Sequence, residues 1–267
     1  MPAAPTGHHE GDDMGDDMGD DMGDAVVLHR VVVGALATNC WLVHAVGDRS
    51  TLLVDPGDEP QRILDAVAHP PGPRDGVDTG LEVVAIVLTH AHFDHVLAVA
   101  PVAQALGLPV LVHPADAPVW PGELDHLHRH GHWDAGTATA DLLRNDATTL
   151  TPSPRWRPWD GITEPVTDGH QIQLGPLTAT LLHTPGHTPG GLTVAIGSHL
   201  ITGDTLFPGG PGLTGNRWPT SDFDTIMRSV ERLMTWPDDT TVHPGHGPDT
   251  NIGKERPHMP SWRARGW

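Results

Sequence analysis

A buried strand that runs directly into a cluster of possible metal ligands constrains the fold of this chain more than any other feature. The strand is the apolar, β-branched run 83–88, and His90, His92, Asp94 and His95 follow within a few positions. Alternate residues of an extended turn share a face, so His90 and His92 can reach one metal ion. Asp94 and His95 lie one step further along and can reach a second. A merely solvated polar turn does not account for four ligand-type residues here, so the segment predicts a metal site beside a cleft.

Three later segments each supply one more candidate ligand after a strand-like run. They are His187 in the loop TPGHTPGG, Asp204 in TGDTLF and His246 in HPGHG. The glycines in these segments let the backbone approach an ion closely. Imidazole and carboxylate together suit borderline and hard divalent metals. We therefore expect two divalent ions, Zn²⁺ in the first place, with Fe or Mn as alternatives.

The motifs THAHFDH, HTPGHTPGG, TGDTLF and HPGHG, in this order, resemble those of the metallo-β-lactamase-fold hydrolase superfamily. Within it they are most similar to the glyoxalase II-like branch, which is related to hydroxyacylglutathione hydrolase, and the run 247–257 is similar to the end of its short bacterial members. The resemblance covers roughly residues 28–267 apart from a divergent middle. It implies two ligand sets and a bridge: His90, His92 and His187 for one ion, Asp94, His95 and His246 for the other, and Asp204 between them.

The pattern of strands and helices predicts an α/β fold with two βαβ-like halves. We expect an αββα four-layer sandwich of two mixed β-sheets flanked by helices, with the metals at one edge. Strands are expected at 26–33, 39–43, 51–54, 83–88, 108–112, 171–174, 177–182 and on both sides of a turn at 197–198. Helices are expected at 59–67, from 96 and from 222. Cys40 is expected in the core, and Asp55 is either a carboxylate beside the metal ligands or a turn cap.

The chain divides into a tail and one domain. Residues 1–24 carry an acidic Gly-Asp-Asp-Met repeat without aromatic or β-branched side chains, which predicts a disordered tail. Residues 25–267 are expected to form a single domain with a divergent insertion at 118–169. The insertion carries alternating histidines and several tryptophans, for which a surface loop or helix with a small core is the simplest interpretation.

Composition narrows the possible partners. A formal net charge of −19 argues against nucleic acid, whose phosphates need a basic surface. No apolar run approaches the ~20 residues of a membrane span, and nothing before Ala25 resembles a signal peptide. The single cysteine rules out an intramolecular disulfide and fits a reducing compartment. We therefore expect a cytoplasmic protein with a small-molecule substrate, and the sequence indicates no particular oligomeric state.

The expected chemistry is metal-dependent hydrolysis. Two ions roughly 3.5–4 Å apart can share a hydroxide that attacks a carbonyl carbon. Asp94 would be a ligand that also orients this hydroxide, and Asp204 would bridge the ions. Thiolesters are the substrate class that the resemblance implies. Longer family members bind glutathione through an extra C-terminal domain, whereas this chain ends soon after His246, so their glutathione pocket is expected to be missing or rebuilt.

Three alternatives stay open. Persulfide dioxygenases share these motifs but use one iron, held by the counterparts of His90, His187 and Asp204. Another ester or lactone hydrolase is the second alternative. Homoserine-lactone enzymes resemble a pattern with a pocket tyrosine that this chain lacks, and common β-lactamase subclasses have cysteine or no bridging carboxylate at the position of Asp204. The third is a non-catalytic metal-binding protein, against which the complete set of ligands counts.

Overall fold

The strands form two six-stranded mixed sheets that pack face to face between helices. The computed structural model describes residues 25–70, 80–120, 163–215 and 220–266. The predicted tail and most of the predicted insertion, including its alternating histidines, lie outside the described residues. In the part of the chain that is described, no helix is long and apolar enough to span a membrane.

The first sheet holds its strands in sequence order. They are β1 (Val26–Val33), β2 (Thr38–Ala45), β3 (Ser50–Val54), β4 (Glu82–Val87), β5 (Val110–Val112) and β6 (Thr163–Pro165). Neighbours from β1 to β3 are antiparallel, and neighbours from β3 to β6 are parallel. The carboxyl ends of the four parallel strands therefore meet at one edge, where α/β sheets place their ligands.

The second sheet has the order β14-β13-β10-β9-β8-β7. Its strands are β7 (His170–Leu174), β8 (Leu177–His183), β9 (Leu192–Ile196), β10 (His199–Gly203), β13 (Thr241–Pro244) and β14 (Thr250–Asn251). Only β10 and β13 are parallel neighbours among these described strands. A separate two-stranded ribbon joins β11 (Leu206–Phe207) to β12 (Gly210–Pro211).

Helices cover both outer faces. They are α1 (Pro60–Ala68), α2 (Phe93–Val96), α3 (Val99–Leu106), α4 (Phe223–Leu233), α5 (Ile252–Glu255) and α6 (Met259–Arg265), with a 3₁₀ turn at Arg256–His258. The predicted start of α4 is confirmed, because the Asp222 side chain accepts a hydrogen bond from the Thr225 N–H and so caps the helix.

Three hydrophobic cores separate the four layers, and strand alternation assigns residues to them. Along β3, Leu53 packs with α1 and α3, whereas Leu52 and Val54 face the second sheet. Along β9 and β10, Ala195 and Leu200 face α4. The predicted αββα four-layer sandwich of the α/β class is thus confirmed, and Cys40 lies in the core as expected.

The helix expected from residue 96 differs from the prediction. It begins earlier, at Phe93, and α3 follows separately from Val99. Asp94 and His95 therefore lie on a helical turn rather than in the extended turn that the sequence suggested.

At the two ends of the predicted insertion, Trp120 packs into the core of the first sheet and β6 forms that sheet's edge.

Candidate metal centre

The predicted ligands follow strands whose ends meet at one edge of the sandwich. The segment from His90 to His95 follows β4. Asp204 follows β10 and His246 follows β13, the parallel pair of the second sheet. His187 follows β8, which runs in the same direction as β10 because both are antiparallel to β9. Segments far apart in sequence are brought together because their strands point the same way.

All seven predicted ligand residues fall into three groups of side chains that are able to hold metal ions. Within each group the ligand atoms lie within 4.8 Å of one another. The groups are His90, His92 and His187; His90, His95 and Asp204; and Asp94, His95 and His246. The second group shares one member with each of the others, so the three form one continuous centre.

Asp204 lies at the middle of this centre. Its Oδ2 is 3.5 Å from His187 Nε2 and 3.6 Å from His246 Nε2, and its Oδ1 is 3.5 Å from His95 Nε2. Gly245 makes this approach possible, because a Cβ at that position would lie 2.2 Å from Asp204 Oδ1. One carboxylate therefore faces imidazoles of both outer groups.

Oxygen atoms that contact Nδ1 orient His90, His95, His187 and His246. The contacts are His90 to Thr89 Oγ1 at 3.1 Å, His95 to Asp55 Oδ2 at 2.9 Å, His187 to the Leu213 carbonyl at 2.7 Å and His246 to the Leu36 carbonyl at 3.0 Å. Since a carbonyl can only accept, Nδ1 carries the proton in His187 and His246. Nε2 then keeps its lone pair and is directed at the centre, as in histidines that ligate metals.

Buried atoms at the centre support the fit of a cation. His90 Nε2, His95 Nε2 and Asp204 Oδ1 are buried and have no hydrogen-bond partner among the described residues. Buried polar atoms are normally paired, because leaving them unpaired is costly. An ion that displaces the proton of His95 would meet lone pairs on all three atoms, and imidazole with carboxylate is a donor set that divalent metals accept.

Asp55 contacts a candidate ligand directly. Besides His95, its carboxylate accepts the Thr89 N–H at 2.7 Å and the Thr89 hydroxyl at 2.6 Å. Of the two roles left open by the sequence, the contact with His95 favours a carboxylate beside the metal ligands. Its backbone has φ 51°, a left-handed conformation that is uncommon for residues other than glycine and often occurs at functional sites.

Sequence reasoning missed Asp116, which follows β5. This fully buried carboxylate accepts the Ala91 N–H at 3.0 Å, the Thr188 hydroxyl at 2.7 Å and the Gly190 N–H at 2.5 Å. It thereby joins the loop that carries His90 and His92 to the loop that carries His187. The available signal was an aspartate shortly after a buried strand parallel to β4.

The start of β2, also missed, holds the His246 loop. The Asn39 side-chain amide donates to the Pro244 carbonyl at 2.9 Å and to the Gly247 carbonyl at 3.0 Å. The Thr38 hydroxyl donates to Asp94 Oδ2 at 3.1 Å. The start of β2 therefore orients candidate ligands that follow strands of both sheets. No local sequence pattern predicts this role.

Burial and neighbouring charges set the ionisation of the site. Burial lowers the pKa of His90 and of His92 well below the usual histidine value, and neighbouring imidazoles lower it further. Burial also lowers the pKa of His95, but three nearby carboxylates, Asp94 first, outweigh it and raise that pKa to about 10. For Asp94 itself, burial raises the pKa, whereas His95 and His246 outweigh burial and hold it below the usual carboxyl range.

His113 and His183 lie outside the three groups and stack on each other, with ring centroids 4.0 Å apart. His183 Nε2 also contacts the Pro189 carbonyl at 2.9 Å, so it supports the loop that carries His187.

A cleft of about 490 Å³ opens over the centre. Asp94, Asp204 and His246 lie on its polar side. Its walls are mostly apolar and include Leu36, Phe93, Phe207 and Leu213. The segment 208–212 also borders the cleft.

This combination of a four-layer αββα sandwich and a His/Asp centre at its edge defines a metallohydrolase-type site. The chain belongs to the metallo-beta-lactamase superfamily, whose family model matches residues 33–249. The probable metallo-hydrolase YqgX of Bacillus subtilis (strain 168) is 30% identical over 240 residues, covering 86% of this chain and 95% of that protein.

Two further comparisons concern a named hydrolase and a metal-bound structure. Hydroxyacylglutathione hydrolase GloC of Haemophilus influenzae is 27% identical over 234 residues, covering 86% of this chain and 95% of that protein. The crystal structure of TTHA1623 in a di-iron-bound form superposes with a TM-score of 0.64 at 34% identity, covering 85% of this chain and 96% of that chain. The resemblance inferred from the motifs is confirmed.

Proposed function

We propose that this chain is a binuclear metallohydrolase that cleaves thiolesters. The ions are divalent, and Zn²⁺ is the proposed metal. Their ligands are His90, His92 and His187 for one ion, Asp94, His95 and His246 for the other, and Asp204 as the bridge. The cytoplasm is the proposed location, in keeping with a single cysteine that is buried and free.

The position of Asp204 carries this proposal. Its Oδ2 lies 3.5 Å from His187 of one outer group and 3.6 Å from His246 of the other, and its Oδ1 lies 3.5 Å from His95. A bridging carboxylate must lie within reach of both ligand sets, and Asp204 does. The centre with a single iron that was considered as an alternative would leave Asp94, His95 and His246 as a complete but unused group.

The chemistry that the site supports is attack by water on a carbonyl carbon. When bound, two divalent ions would acidify a water molecule and polarise the carbonyl oxygen of an ester. The low pKa of Asp94 keeps its carboxylate ionised, and the Thr38 hydroxyl fixes its orientation, so it can accept a hydrogen bond from a water in the cleft.

No covalent nucleophile competes with this role among the described residues of the cleft, which include no serine, cysteine or threonine. Cys40 is buried in the core, and burial raises the pKa of its thiol well above the usual value, so it stays protonated. The choice of thiolesters rests on the similarity to hydroxyacylglutathione hydrolase GloC at 27% identity.

Metal analysis combined with two assays tests the proposal. We expect two ions per chain, metal-dependent hydrolysis of a simple acyl thiolester, and no consumption of oxygen with a persulfide. His90→Ala and His246→Ala should each lose one of the two ions. His113→Ala is the matched control, because this histidine lies outside the three groups. A single iron per active chain, with oxygen consumed on a persulfide, would overturn the proposal in favour of the dioxygenase.

A further inference from the structure

The two-stranded ribbon of β11 and β12 forms one wall of the cleft beside the metal centre. Six consecutive residues, 207–212, line the cleft, and those with side chains are Phe207, Pro208 and Pro211, all of them apolar. The Phe207 ring lies nearly parallel to the imidazole of the candidate ligand His246, with 12° between the planes and 6.4 Å between the centroids. A substrate that reaches the centre therefore meets an apolar wall.

The turn that closes this ribbon does not hold the wall in place by itself. It joins Phe207 to Gly210, with Pro208 at its second position and Gly209, whose φ is 89°, at its third. This is the pattern of a type II turn. A type II turn does not match the twist of the strands that it joins, and a two-stranded ribbon is at best marginally stable alone. The wall therefore depends on contacts with the rest of the molecule.

A buried carboxyl group supplies such a contact. Glu255, at the end of α5, is only 5% exposed, and its Oε2 accepts the Gly209 N–H at 2.9 Å. Its Oε1 accepts the Thr250 hydroxyl at 2.6 Å. The hydrogen bond within a turn joins its first and fourth residues, so the N–H of the third residue needs a partner from elsewhere. Since a buried carboxyl group without partners is costly, these two hydrogen bonds hold Glu255 and the turn together.

We infer that Glu255 is a positioning residue, which holds the turn at Gly209 so that the apolar wall receives a hydrocarbon group of the substrate beside the metal centre. This inference rests on the proposed function and adds that the substrate carries such a group. Glu255 is not among the described residues that line the cleft, so it acts through the wall and takes no part in bond cleavage. A hydrocarbon group on the wall contributes to binding in proportion to the apolar area removed from water. A wall that moves away loses this contribution and leaves the candidate ligands in place.

Calorimetry on the metal-loaded full chain tests the inference without turnover. The probes are acetate and hexanoate, which share a carboxylate, an ordinary ligand of divalent ions, and differ in the length of the hydrocarbon. The wild type should bind hexanoate more tightly than acetate. Glu255→Met should lose about three- to tenfold of this preference, because one hydrogen bond no longer supports the wall. Glu255→Gln should keep it, because its amide oxygen can still accept the Gly209 N–H while its NH₂ group donates to the Thr250 oxygen.

Thr250→Val is the matched control. It removes the other hydrogen bond of Glu255 and leaves the one to the wall, so it should lower Tm but keep the preference for hexanoate. If Glu255→Met does not fold, Gly209→Ala perturbs the same contact from the side of the wall. Alanine is strained at φ 89°, although no described atom lies within 4 Å of its Cβ. This variant should show the same loss of preference, and an unchanged preference would contradict the inference.

Hydrolysis of thiolesters then shows which side of the substrate lies on the wall. Acetyl and hexanoyl thiolesters of one thiol vary the acyl group, and acetyl thiolesters of ethanethiol and hexanethiol vary the thiol. In one of these series Glu255→Met should raise KM for the longer member and leave kcat unchanged, because the wall binds substrate and transition state alike. Equal binding of acetate and hexanoate to the wild type, or the same loss in Thr250→Val or Glu255→Gln, overturns the inference. If no thiolester is hydrolysed, the proposed function fails, and the calorimetry still decides the role of Glu255.

Discussion

Replacing Asp116 by asparagine perturbs the junction of two loops that carry candidate ligands. The buried carboxylate accepts Ala91 N–H and Thr188 O–H on Oδ2, and Gly190 N–H on Oδ1. Asparagine has one acceptor oxygen and one NH₂ group, so at least one donor must face another donor. A buried donor without an acceptor lowers the free energy of unfolding by about 1–3 kcal/mol. At about 2–4 °C per kcal/mol, Tm should fall by roughly 2–12 °C.

The same change should weaken metal binding. Ala91 lies between His90 and His92 in the chain. Loss of the hydrogen bond to its N–H therefore weakens the positioning of both candidate ligands. Loss of a group that orients ligands usually costs about 10- to 100-fold in metal affinity. The control is Asp168→Asn, since this carboxylate also accepts from a main-chain N–H and a side chain but is exposed, and an exposed pair contributes at most about 1 kcal/mol.

The assays are thermal unfolding of the metal-free protein and competition with a chelator for the metal. Asp116→Asn should lower both Tm and metal affinity, and Asp168→Asn should lower neither by much. If Asp116→Asn behaves like Asp168→Asn in both assays, the carboxylate does not join the two loops energetically. The reasoning from its three donors would then be wrong.

Three further predictions concern charge, the bridge and the tail. Because the pKa of His95 is raised to about 10, the metal-free protein holds a proton there at neutral pH that a metal must displace. Calorimetry in buffers of different ionisation enthalpy should therefore detect proton release, and metal affinity should rise with pH up to that pKa. Asp204→Asn should bind one ion much more weakly and lose thiolester turnover by orders of magnitude, with little change in Tm; normal turnover with both ions retained would exclude the bridge. Removal of residues 1–24 should leave Tm and turnover unchanged, because the repeat offers no apolar face, and a clear fall in Tm would contradict this.

Much of the fold follows from local pattern. The expected strand 83–88 is β4 at Glu82–Val87, and the expected helix 59–67 is α1 at Pro60–Ala68 with proline in its first turn. These predictions agree with the structure because burial on one or both faces of an element gives its apolar residues a regular spacing. That spacing can be recognised in the sequence without tertiary information. The candidate ligands could be predicted from the sequence for the same reason, since each follows such an apolar run.

The residues that orient the ligands could not be predicted from a local sequence pattern. Asp116 and Asn39 act on segments that are distant in sequence, and all but one of their partners, the Thr188 hydroxyl, are main-chain atoms. Every residue has a main-chain N–H or carbonyl group, so the residue type does not reveal which residue supplies a main-chain partner. The helical turn at Asp94 was also missed, because four residues are too few to show a helical period.

Main-chain partners also determine how the centre responds to change. The Leu213 and Leu36 carbonyls hold His187 and His246, so a substitution at either leucine leaves the acceptor in place. His95 depends instead on the Asp55 side chain, whose left-handed backbone adds strain. Substitution of Asp55 should therefore disturb the outer group that contains His95 directly, and substitution of Thr89 should disturb the outer group that contains His90.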